Sequence, residues 1–494
     1  MNEVPCGNAA TADYIAFHAA QRPEAVAIVD GAREITYAQF HRDLGRFVRA
    51  VGELGLDRGR CAAVASAELY PHWLLLIACE RLGIATASFL FGDGSDDSGL
   101  LGTVDLVLSE ARPRNVAPER HFALTQSWLA GVFARPDAGM PEPAAAYPDD
   151  PLRIVRTSGT TAEPKRVLWT RRMFEAWVER RIWSLGLTRA SRTAVNMSFG
   201  AAGGYTLSTA VIRAGGTVLN TWPKIITEAT ISDALKGLTH LRVTPLELKS
   251  ILDALPPDFV KPPGLVVCTV GAAVAAPLRE RALARLASEV IVSYGCNEVL
   301  FVAETRATGS EGISTIYPWA RMEVVDEAEM PLPPGAAGKI RIRDPAMATG
   351  YLDDPETTAR KFGNGWFYPG DIGVLHGPGL IQIVGREDEL LNIGGIKMAP
   401  SALEAWVMQH ATAGDIGVCS MRNAEGIEEI CVAVANPGHS DAELMERVTR
   451  AFRDHRIGRH FYVVRVARIP RNANGKIQRN LLKQAVAAVM GQKA

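Results

Sequence analysis

The sequence predicts an α/β fold, with a large N-terminal domain of βαβ-layered sheets followed by a small C-terminal α+β domain. Three observations lead to this prediction. Short apolar runs alternate with helical patterns along most of the chain, as they do in βαβ units. After Gly385 the pattern restarts as a compact unit of about 110 residues, close to the usual size of a domain. The chain of 494 residues is also long enough for roughly two to four domains.

The N-terminal elements follow one another in the order expected for a largely parallel sheet. Apolar residues between Phe40 and Leu54 recur at steps of three and four, which predicts a helix that ends near Gly55. A second apolar helix is predicted over roughly 72–82. Strands are predicted at 61–66, 84–89, from 104, and at 152–156, 265–270, 289–293, 339–343 and 380–384.

The C-terminal unit has its own sequence of elements. Its apolar periodicity predicts two helices separated by strands and a last strand near the end. The helices are expected near 401–410 and at 441–455, and the strands near 415–420, 429–435 and 460–468.

Composition and charge exclude several classes of function. Lys and Arg total 53 against 54 Asp and Glu, so the net field offers no general attraction to nucleic acid or to an anionic membrane. The seven cysteines include no CxxC pair, which indicates neither a disulfide framework nor a zinc site. The longest apolar run, Trp73 to Cys79, is far below the ~18 residues of a membrane span. We therefore expect a cytoplasmic protein with no membrane span and no targeting segment.

The first motif with chemical meaning is a loop rich in hydroxyl groups that follows a predicted strand. Backbone N–H groups and hydroxyls around one glycine can surround a polyphosphate, and a nearby lysine adds a mobile positive charge. The same composition also occurs in ordinary polar surface loops. The loop is not a Walker A loop, because Pro164 stands where a glycine would precede the lysine. Its candidate phosphate-binding residues are Thr157, Ser158, Gly159, Thr160, Thr161 and Lys165.

This loop resembles the phosphate loop of the adenylate-forming enzymes, the superfamily of acyl-CoA synthetases, peptide-synthetase adenylation domains and firefly luciferase. Two positions depart from the family pattern, since Ala162 and Arg166 replace glycines. The resemblance implies an ATP- and acyl-binding domain over 1–384, a hinge over 385–388 and a mobile lid domain over 389–494.

A second motif, from Ser293 to Glu298, is similar to the YGxTE motif of the same family. The resemblance implies that Tyr294 packs on the adenine and that Glu298 approaches the Mg²⁺ bound to ATP, a role that suits hard carboxylate oxygens. It also implies nucleotide contacts by Gly295 and Asn297. Upstream, a turn of small residues matches the segment whose backbone approaches the adenine, formed here by Gly271 and Ala272.

Two further motifs resemble the family's ribose site and its domain junction. Asp371 follows Gly370 as in the segment whose carboxylate accepts hydrogen bonds from the ribose hydroxyls. The stretch from Gly385 to Lys397 matches the junction motif. The resemblance implies that Arg386 contacts the ribose or phosphate and that Asp388 is the hinge. It places two glycines beside the thiol channel, namely Gly394 and Gly395.

The last motif contains Lys476, which follows an Asn-Gly turn and matches the family's lysine that bridges the substrate carboxylate and the α-phosphate. Five motifs thus occur in family order between 157 and 479. The resemblance implies ATP-dependent activation of a carboxylic acid as acyl-AMP, release of pyrophosphate and transfer of the acyl group to CoA. Lys476 and Glu298 are the implied catalytic residues, and ATP, Mg²⁺ and CoA are the implied cofactors and co-substrate.

The sequence says less about which carboxylic acid is activated than about the reaction. The resemblance places an acyl pocket at Phe199, Gly200 and Gly204. An α-amino acid is disfavoured, because Gly200 stands where peptide synthetases carry an Asp that holds the amino group. Small residues beside an aromatic wall favour an aryl or a short-to-medium acyl carboxylate, although the same residues would also permit close helix packing.

Two alternatives remain open. A stand-alone adenylating enzyme would load the phosphopantetheine of an acyl carrier protein instead of CoA, because both acceptors present the same thiol. A catalytically degenerate adenylate-binding protein is suggested by Ala162, Arg166 and Pro369. The sequence is compatible with a homodimer.

Overall fold

The structure is a computed structural model. It describes residues 9–89, 98–157, 164–195, 199–200, 202–220, 226–271, 274, 276–306, 312–393, 396–410, 414–422, 428–436, 438–453, 461–472 and 475–491.

The helices are distributed along the whole described chain. The helix predicted to end near Gly55 spans Tyr37–Gly52, and the Thr36 hydroxyl caps its start by accepting from the Gln39 N–H at 3.2 Å. The helices are α1 (Thr11–Gln21), α2 (Tyr37–Gly52), α3 (Leu69–Arg81), α4 (Ser98–Gly102), α5 (Gln126–Phe133), α6 (Arg171–Leu185), α7 (Ala202–Arg213), α8 (Glu228–Leu235), α9 (Pro245–Ala254), α10 (Ala276–Arg285), α11 (Pro355–Lys361), α12 (Pro400–His410), α13 (Asp441–Arg453) and α14 (Arg479–Gly491).

The strands include every segment that the apolar runs predicted. They are β1 (Val26–Asp30), β2 (Arg33–Thr36), β3 (Cys61–Val64), β4 (Ala85–Ser88), β5 (Leu106–Ser109), β6 (His121–Ala123), β7 (Pro151–Arg156), β8 (Arg166–Thr170), β9 (Arg192–Val195), β10 (Thr217–Asn220), β11 (His240–Val243), β12 (Val266–Thr269), β13 (Glu289–Cys296), β14 (Leu300–Thr305), β15 (Ile313–Ile316), β16 (Arg321–Val325), β17 (Ala337–Arg343), β18 (Phe362–Gly363), β19 (Trp366–Phe367), β20 (Asp371–Gly377), β21 (Leu380–Arg386), β22 (Leu391–Ile393), β23 (Ile396–Met398), β24 (Asp415–Arg422), β25 (Glu428–Ala435) and β26 (Phe461–Arg465).

Two large sheets form the N-terminal part. One has six strands in the order β6-β5-β3-β4-β7-β8, parallel except for the β7–β8 hairpin. The other has fifteen strands and is mixed. Its path from β1 through β10, β9, β11 and β12 to β13 is parallel, and its path from β13 onward is antiparallel. The α/β class is confirmed, but the expectation of a largely parallel sheet holds only for these parts, because hairpins extend the second sheet.

Helices α3 and α7 are buried almost throughout and belong to the main core. From Tyr70 to Arg81 each residue of α3 is buried, and so is each residue of α7. A helix that is apolar on all sides is stable only when protein covers all sides. At the end of α7 the buried Arg213 donates to both carboxylate oxygens of Glu175 on α6. Without this ion pair, the buried Arg213 charge would destabilise the folded protein.

The C-terminal residues form a three-stranded sheet, β24-β25-β26, and a separate β22–β23 hairpin. The five elements predicted for this region are confirmed in type and approximate position. Helices α12 and α13 contribute to one apolar cluster on this sheet, and α14 contributes to another. Arg479 at the start of α14 donates to Glu389 at 3.1 Å and to Glu404 at 2.7 Å, so it joins α14 to the junction segment and to α12.

Candidate active site

The carboxyl ends of parallel strands β9, β11, β12 and β13 meet at one edge of the large sheet, which is where α/β proteins usually bind ligands. Strand β13 is longer than predicted and carries Tyr294 and Gly295 within it. A side chain on Gly295 would meet the Leu300 carbonyl oxygen at 1.4 Å. Only glycine fits there, and the register shifts at this point, so the β13–β14 hairpin turns tightly and presents Glu298.

Glu298 is buried, and its carboxylate accepts a hydrogen bond from the Tyr351 hydroxyl at 2.7 Å. Its backbone carbonyl accepts from the Ala348 N–H at 2.8 Å, which fixes the turn to the segment before Tyr351. The Lys165 ammonium lies 5.1 Å from the centre of the Tyr351 ring. Burial, followed by the charge of Glu298, raises the pKa of Tyr351, so this hydroxyl remains a donor. Lys165, predicted for the phosphate loop, and Glu298, predicted for the metal, therefore both contact Tyr351.

The ends of the phosphate loop are closed by two hydrogen bonds. Thr157 and Lys165 follow β7 and precede β8, which form an antiparallel hairpin. The Thr157 N–H donates to the Lys165 carbonyl at 2.8 Å, and the Lys165 N–H donates to the Thr157 hydroxyl at 3.2 Å. The hydroxyl that was assigned to phosphate thus also closes the stem of the loop. The other predicted loop residues lie outside the described part of the chain, namely Ser158, Gly159, Thr160 and Thr161.

Asn297 connects the two large sheets beside this loop. Its side-chain amide donates to the Arg156 carbonyl at 2.6 Å, and its own carbonyl accepts from the Trp169 indole at 3.0 Å. The residue that replaces the commoner threonine of the motif therefore holds the hairpin against β7 and β8.

Arg166, which replaces a family glycine, contacts Gly99 and Asp353. It donates to the Gly99 carbonyl, and its guanidinium lies 3.5 Å from the Asp353 carboxylate. The Asp353 carboxylate therefore partly compensates the charge of Arg166.

The predicted ribose site is a small network around Asp371. The Tyr294 hydroxyl donates to one carboxylate oxygen at 2.5 Å, and the Arg386 guanidinium lies 3.4 Å from the other. Arg386 also donates to the Pro369 carbonyl at 2.7 Å. Burial and the Asp371 charge raise the pKa of Tyr294, which keeps the phenol protonated. One guanidinium and one phenol hydroxyl thus converge on a carboxylate that is mostly buried but still reachable, with 14% of its side chain exposed.

The turn that carries Lys476 lies against the large sheet. The Lys476 N–H donates to the Asn472 side chain at 3.0 Å, and the Asn472 N–H donates to the Lys476 carbonyl at 2.9 Å. A Cβ on the neighbouring Gly475 would lie 3.4 Å from the Cβ of Thr244. Thr244 follows β11 directly, at the same sheet edge as the Tyr294–Glu298 hairpin. The structure therefore brings the predicted catalytic turn to the edge that carries the predicted nucleotide residues.

The predicted acyl pocket begins at Phe199, which is buried with its ring 5.6 Å from His72, 5.3 Å from Trp73 and 5.7 Å from Tyr205. Gly200 lies in the turn that follows, and Gly204 lies in α7. Gly271 follows β12 and has a positive φ of 92°.

Three other predicted residues, Ala272, Gly394 and Gly395, lie outside the described part of the chain, and Asp388 lies in a short 3-10 turn.

Tyr351 is the main residue at this site that sequence reasoning missed. It belongs to none of the five motifs, and 53 positions separate it from its hydrogen-bond partner Glu298. An isolated tyrosine after a glycine gives no signal of its own, so only the folded chain shows the contact.

The described residues contain no group of three or more His, Cys, Asp or Glu side chains that would hold a metal ion by themselves. Along the same residues, no helix has the length and apolar character needed to cross a bilayer.

Comparisons with known proteins identify the family. The family model described as AMP-binding enzyme matches residues 100–352, slightly more than half of the chain. The chain therefore belongs to the AMP-binding enzymes, the adenylate-forming class that its motifs resemble.

Relatives and solved structures are similar over nearly the whole chain. A fatty acid–[acyl-carrier-protein] ligase, ScoC, from Streptomyces coeruleorubidus is 26% identical, covering 94% of this chain and 94% of its own length. An indoleacetate–CoA ligase from Aromatoleum aromaticum is 25% identical, and the alignment covers 96% of this chain and 98% of that ligase. The crystal structure of ATP-bound MatB from Rhodopseudomonas palustris has a TM-score of 0.82 at 20% identity. The superposition covers 96% of this chain and 98% of MatB. The anthranilate CoA ligase AuaEII in complex with anthranoyl-AMP has a TM-score of 0.84 at 18% identity, covering 98% of both chains.

Proposed function

We propose that this enzyme activates a carboxylic acid with ATP, releases pyrophosphate, and transfers the acyl group from acyl-AMP to the thiol of CoA. The observation that carries the proposal is the convergence of Tyr294, Glu298 and Asp371 around one hairpin, with Lys165 and Arg386 beside them. Relatives of similar length that are named as CoA ligases support it.

The ribose and phosphates of ATP would lie along this hairpin. Asp371 has two oxygens that can accept from the ribose hydroxyls, and Tyr294 and Arg386 hold the carboxylate in place for them. Lys165, at the end of the phosphate loop, would contact the β- and γ-phosphates as a mobile point charge.

Glu298 fits the role of a magnesium ligand. Mg²⁺ in nucleotide sites is usually held by one or two carboxylates together with substrate phosphates, and Glu298 supplies a buried carboxylate beside Lys165. When bound, the ion would offset phosphate charge. Tyr351 would orient the Glu298 carboxylate by its hydrogen bond at 2.7 Å.

Lys476 would supply the positive charge for the first step. A carboxylate that attacks an α-phosphate brings two anions together, so most of the barrier is electrostatic and orientational. The Gly475–Lys476 turn lies against Thr244, as required if the ammonium group is to reach substrate at this edge.

We further propose that residues 389–494 act as a lid that turns about residues 385–388. The acyl-AMP is a mixed anhydride that water hydrolyses, so the lid would keep it dry and then bring a different face to the thiol. Residues 1–384 would then be the ATP- and acyl-binding domain.

The thiol acceptor has a second candidate. A relative named as a fatty acid–[acyl-carrier-protein] ligase is as similar to this chain as the CoA ligases are. Loading of a carrier-protein phosphopantetheine is therefore the alternative to CoA, and both require the same first step.

The decisive experiment separates the two steps. AMP and pyrophosphate are measured over a broad panel of carboxylic acids, with and without CoA or a phosphopantetheinylated carrier protein. Lys476→Ala should lower pyrophosphate release by about 10² to 10³-fold, the usual cost of removing one transition-state contact, yet largely preserve thiolysis of a supplied acyl-AMP.

The matched control is Lys483→Ala, which removes a lysine from α14 in the same unit and should leave both steps unchanged. Equal loss of both steps in Lys476→Ala would contradict the two-face mechanism. Binding of ATP without pyrophosphate release for any acid would instead favour a degenerate adenylate-binding protein.

A further inference from the structure

Arg153 is a buried arginine that contacts the predicted acyl pocket, and none of the five motifs contains it. It lies on β7, is 1% exposed, and pairs with Thr86 on the parallel strand β4. Residues two positions apart on a strand point to the same face, so Ser88 lies on the same side of β4 as Thr86. The Arg153 guanidinium donates to the Thr86 hydroxyl at 3.1 Å and to the Ser88 hydroxyl at 2.8 Å. Strand β4 therefore anchors the guanidinium.

The same guanidinium also contacts the Phe199 turn and α7. One of its terminal nitrogens donates to the Phe199 carbonyl, and Cζ lies 4.3 Å from the centre of the Tyr205 ring. The resemblance places Phe199 and Gly200 at the acyl pocket, and α7 carries the third predicted pocket residue, Gly204. Arg153 therefore joins the six-stranded sheet to both segments that carry the predicted pocket.

Through Ser88, Arg153 is also connected to the ring that packs on Phe199. The Ser88 hydroxyl accepts from Arg153 and lies 3.0 Å from the His72 imidazole. The His72 ring in turn meets the Phe199 ring edge to face at 5.6 Å. Burial, followed by the charge of Arg153, lowers the pKa of His72 to about 3, so the imidazole is neutral at neutral pH. The pocket wall, defined here as Phe199, His72 and Tyr205, is thus an uncharged surface connected to one buried cation.

An arginine suits this position because of its shape and its charge. The guanidinium is planar and presents five N–H donors in fixed directions, so it can hold two hydroxyls and a carbonyl at the same time. Hydrogen bonds from a charged donor are roughly twice as strong as those between neutral groups. Burial lowers the pKa of Arg153 to about 10, which still leaves the group charged at neutral pH. The Phe199 backbone is therefore held more firmly than by a neutral side chain.

We propose that Arg153 is a positioning residue that fixes the Phe199 turn and thereby sets the size of the acid that the pocket accepts. This inference rests on the proposed function, because it takes the Phe199 turn as a wall of the acyl pocket. Arg153 acts from behind the wall, through the Phe199 carbonyl and the Tyr205 ring. The predicted nucleotide residues around Glu298 belong to the other large sheet, so loss of Arg153 should affect the acid and not ATP.

The test compares acids that differ only in size. Pyrophosphate release is measured with straight-chain acids from acetate to decanoate and with benzoate and phenylacetate, for the wild type and for Arg153→Met. Methionine keeps much of the side-chain volume and removes the donors. We expect kcat/KM for the acid that the wild type prefers to fall by about 10²-fold, the usual cost of a displacement of about 1 Å. The preference for that acid over its next larger homologue should weaken by at least about 10-fold, the usual effect of one methylene in a fitted pocket. The KM for ATP should not change.

The ratio of kcat/KM values between two acids separates positioning from a loss of folding. A smaller folded fraction lowers the rate with every acid by the same factor, whereas a displaced wall changes the ratio. Arg153→Lys keeps the charge and a donor, so it should restore part of the preference. Ser88→Ala is a milder change that removes one acceptor of Arg153, and it should shift the ratio in the same direction even if Arg153→Met does not fold.

Arg279→Met is the matched control. Arg279 is also a buried arginine that donates to backbone carbonyls, those of Val290 at 3.1 Å and Thr305 at 3.4 Å, but these lie on β13 and β14. Its loss should lower stability and leave the ratio between acids unchanged.

The outcomes distinguish this inference from the proposed function. If Arg153→Met lowers the rate with all acids equally, or if the wild type accepts every acid of the series equally well, Arg153 only stabilises the fold. The positioning role would then be wrong, while carboxylate activation stands. If the wild type binds ATP but releases no pyrophosphate with any acid, the proposed function fails, and the role of Arg153 fails with it.

Discussion

At Gly295 the backbone of the site hairpin passes so close to the Leu300 carbonyl oxygen that a Cβ would overlap it at 1.4 Å. Gly295→Ala must therefore separate β13 from β14 and displace Glu298. We expect a loss of stability of about 1 to 3 kcal/mol or more, as for other overpacked sites. Because a shift of about 1 Å can cost 10²-fold in rate, pyrophosphate release should fall by at least that factor. Chemical denaturation and the pyrophosphate assay measure the two effects.

Gly131→Ala is the matched control for this variant. Gly131 lies inside α5, and a Cβ there would meet no atom within 4 Å. The substitution should stabilise the helix by up to about 1 kcal/mol and leave activity unchanged. Normal pyrophosphate release by Gly295→Ala would show that the hairpin geometry is not needed for the reaction.

Residues identified from motifs and residues found only in the structure differ in one physical respect. Glu298, Asp371 and Lys165 stand in short segments whose spacing carries a recognisable chemistry. Tyr351 stands alone, and its partner Glu298 is 53 positions away along the chain. No local pattern encodes such a contact, because it depends on which strands and helices the fold brings together.

At the scale of elements, α3 shows how burial of a histidine makes the stability of the protein depend on pH. His72 in α3 is buried, and its imidazole lies 3.0 Å from the Ser88 hydroxyl. Burial, followed by the charge of Arg153, lowers the pKa of His72 to about 3. The unfolded chain binds a proton on this group at about pH 6.5, whereas the folded chain does not. The stability contributed by neutral His72 is therefore complete above about pH 6.5 and is lost as the pH falls toward 3.

The expected slope for this single group is about 1.4 kcal/mol per pH unit within that window. We expect the difference in free energy of unfolding between wild type and His72→Gln to shrink as the pH is lowered from 7.5 to 5. Urea denaturation at several pH values measures it, and using the difference between the two proteins removes the contribution of the other histidines. A difference that stays constant with pH would show that His72 has the same pKa in the folded and the unfolded chain, and that burial does not lower it.

The elements themselves were largely predictable from the sequence, and their arrangement was only partly so. Apolar runs located β3, β4, β7, β12 and β13, because a buried strand needs a continuous apolar surface. The hairpins that extend the large sheet beyond β13 were not anticipated as antiparallel partners, since strand order depends on contacts far apart in sequence. For the same reason the parallel character was overestimated.

At the scale of the whole molecule, the contact between Gly475 and Thr244 offers a way to test whether the C-terminal unit moves. The Cβ positions of these two residues would be 3.4 Å apart, close to the range of about 3.5–4.5 Å found in disulfides. A Thr244→Cys, Gly475→Cys double variant should therefore form a disulfide that fixes the Lys476 turn at the large sheet.

If the lid has to turn between the two steps, the oxidised double variant should still release pyrophosphate in a single turnover, because the Lys476 turn is held in its working position. Transfer of the acyl group to the thiol should fall by at least about 10²-fold, since the second face cannot reach the pocket. Reduction should restore transfer. The single variant Thr244→Cys controls for the lost helix cap, and Gly475→Cys controls for the left-handed φ of 75° that a cysteine would have to adopt there. Each effect costs about 1 to 2 kcal/mol. Undiminished thioester formation by the oxidised double variant would mean that both steps occur with the lid in one position, and the proposed rotation would have to be abandoned.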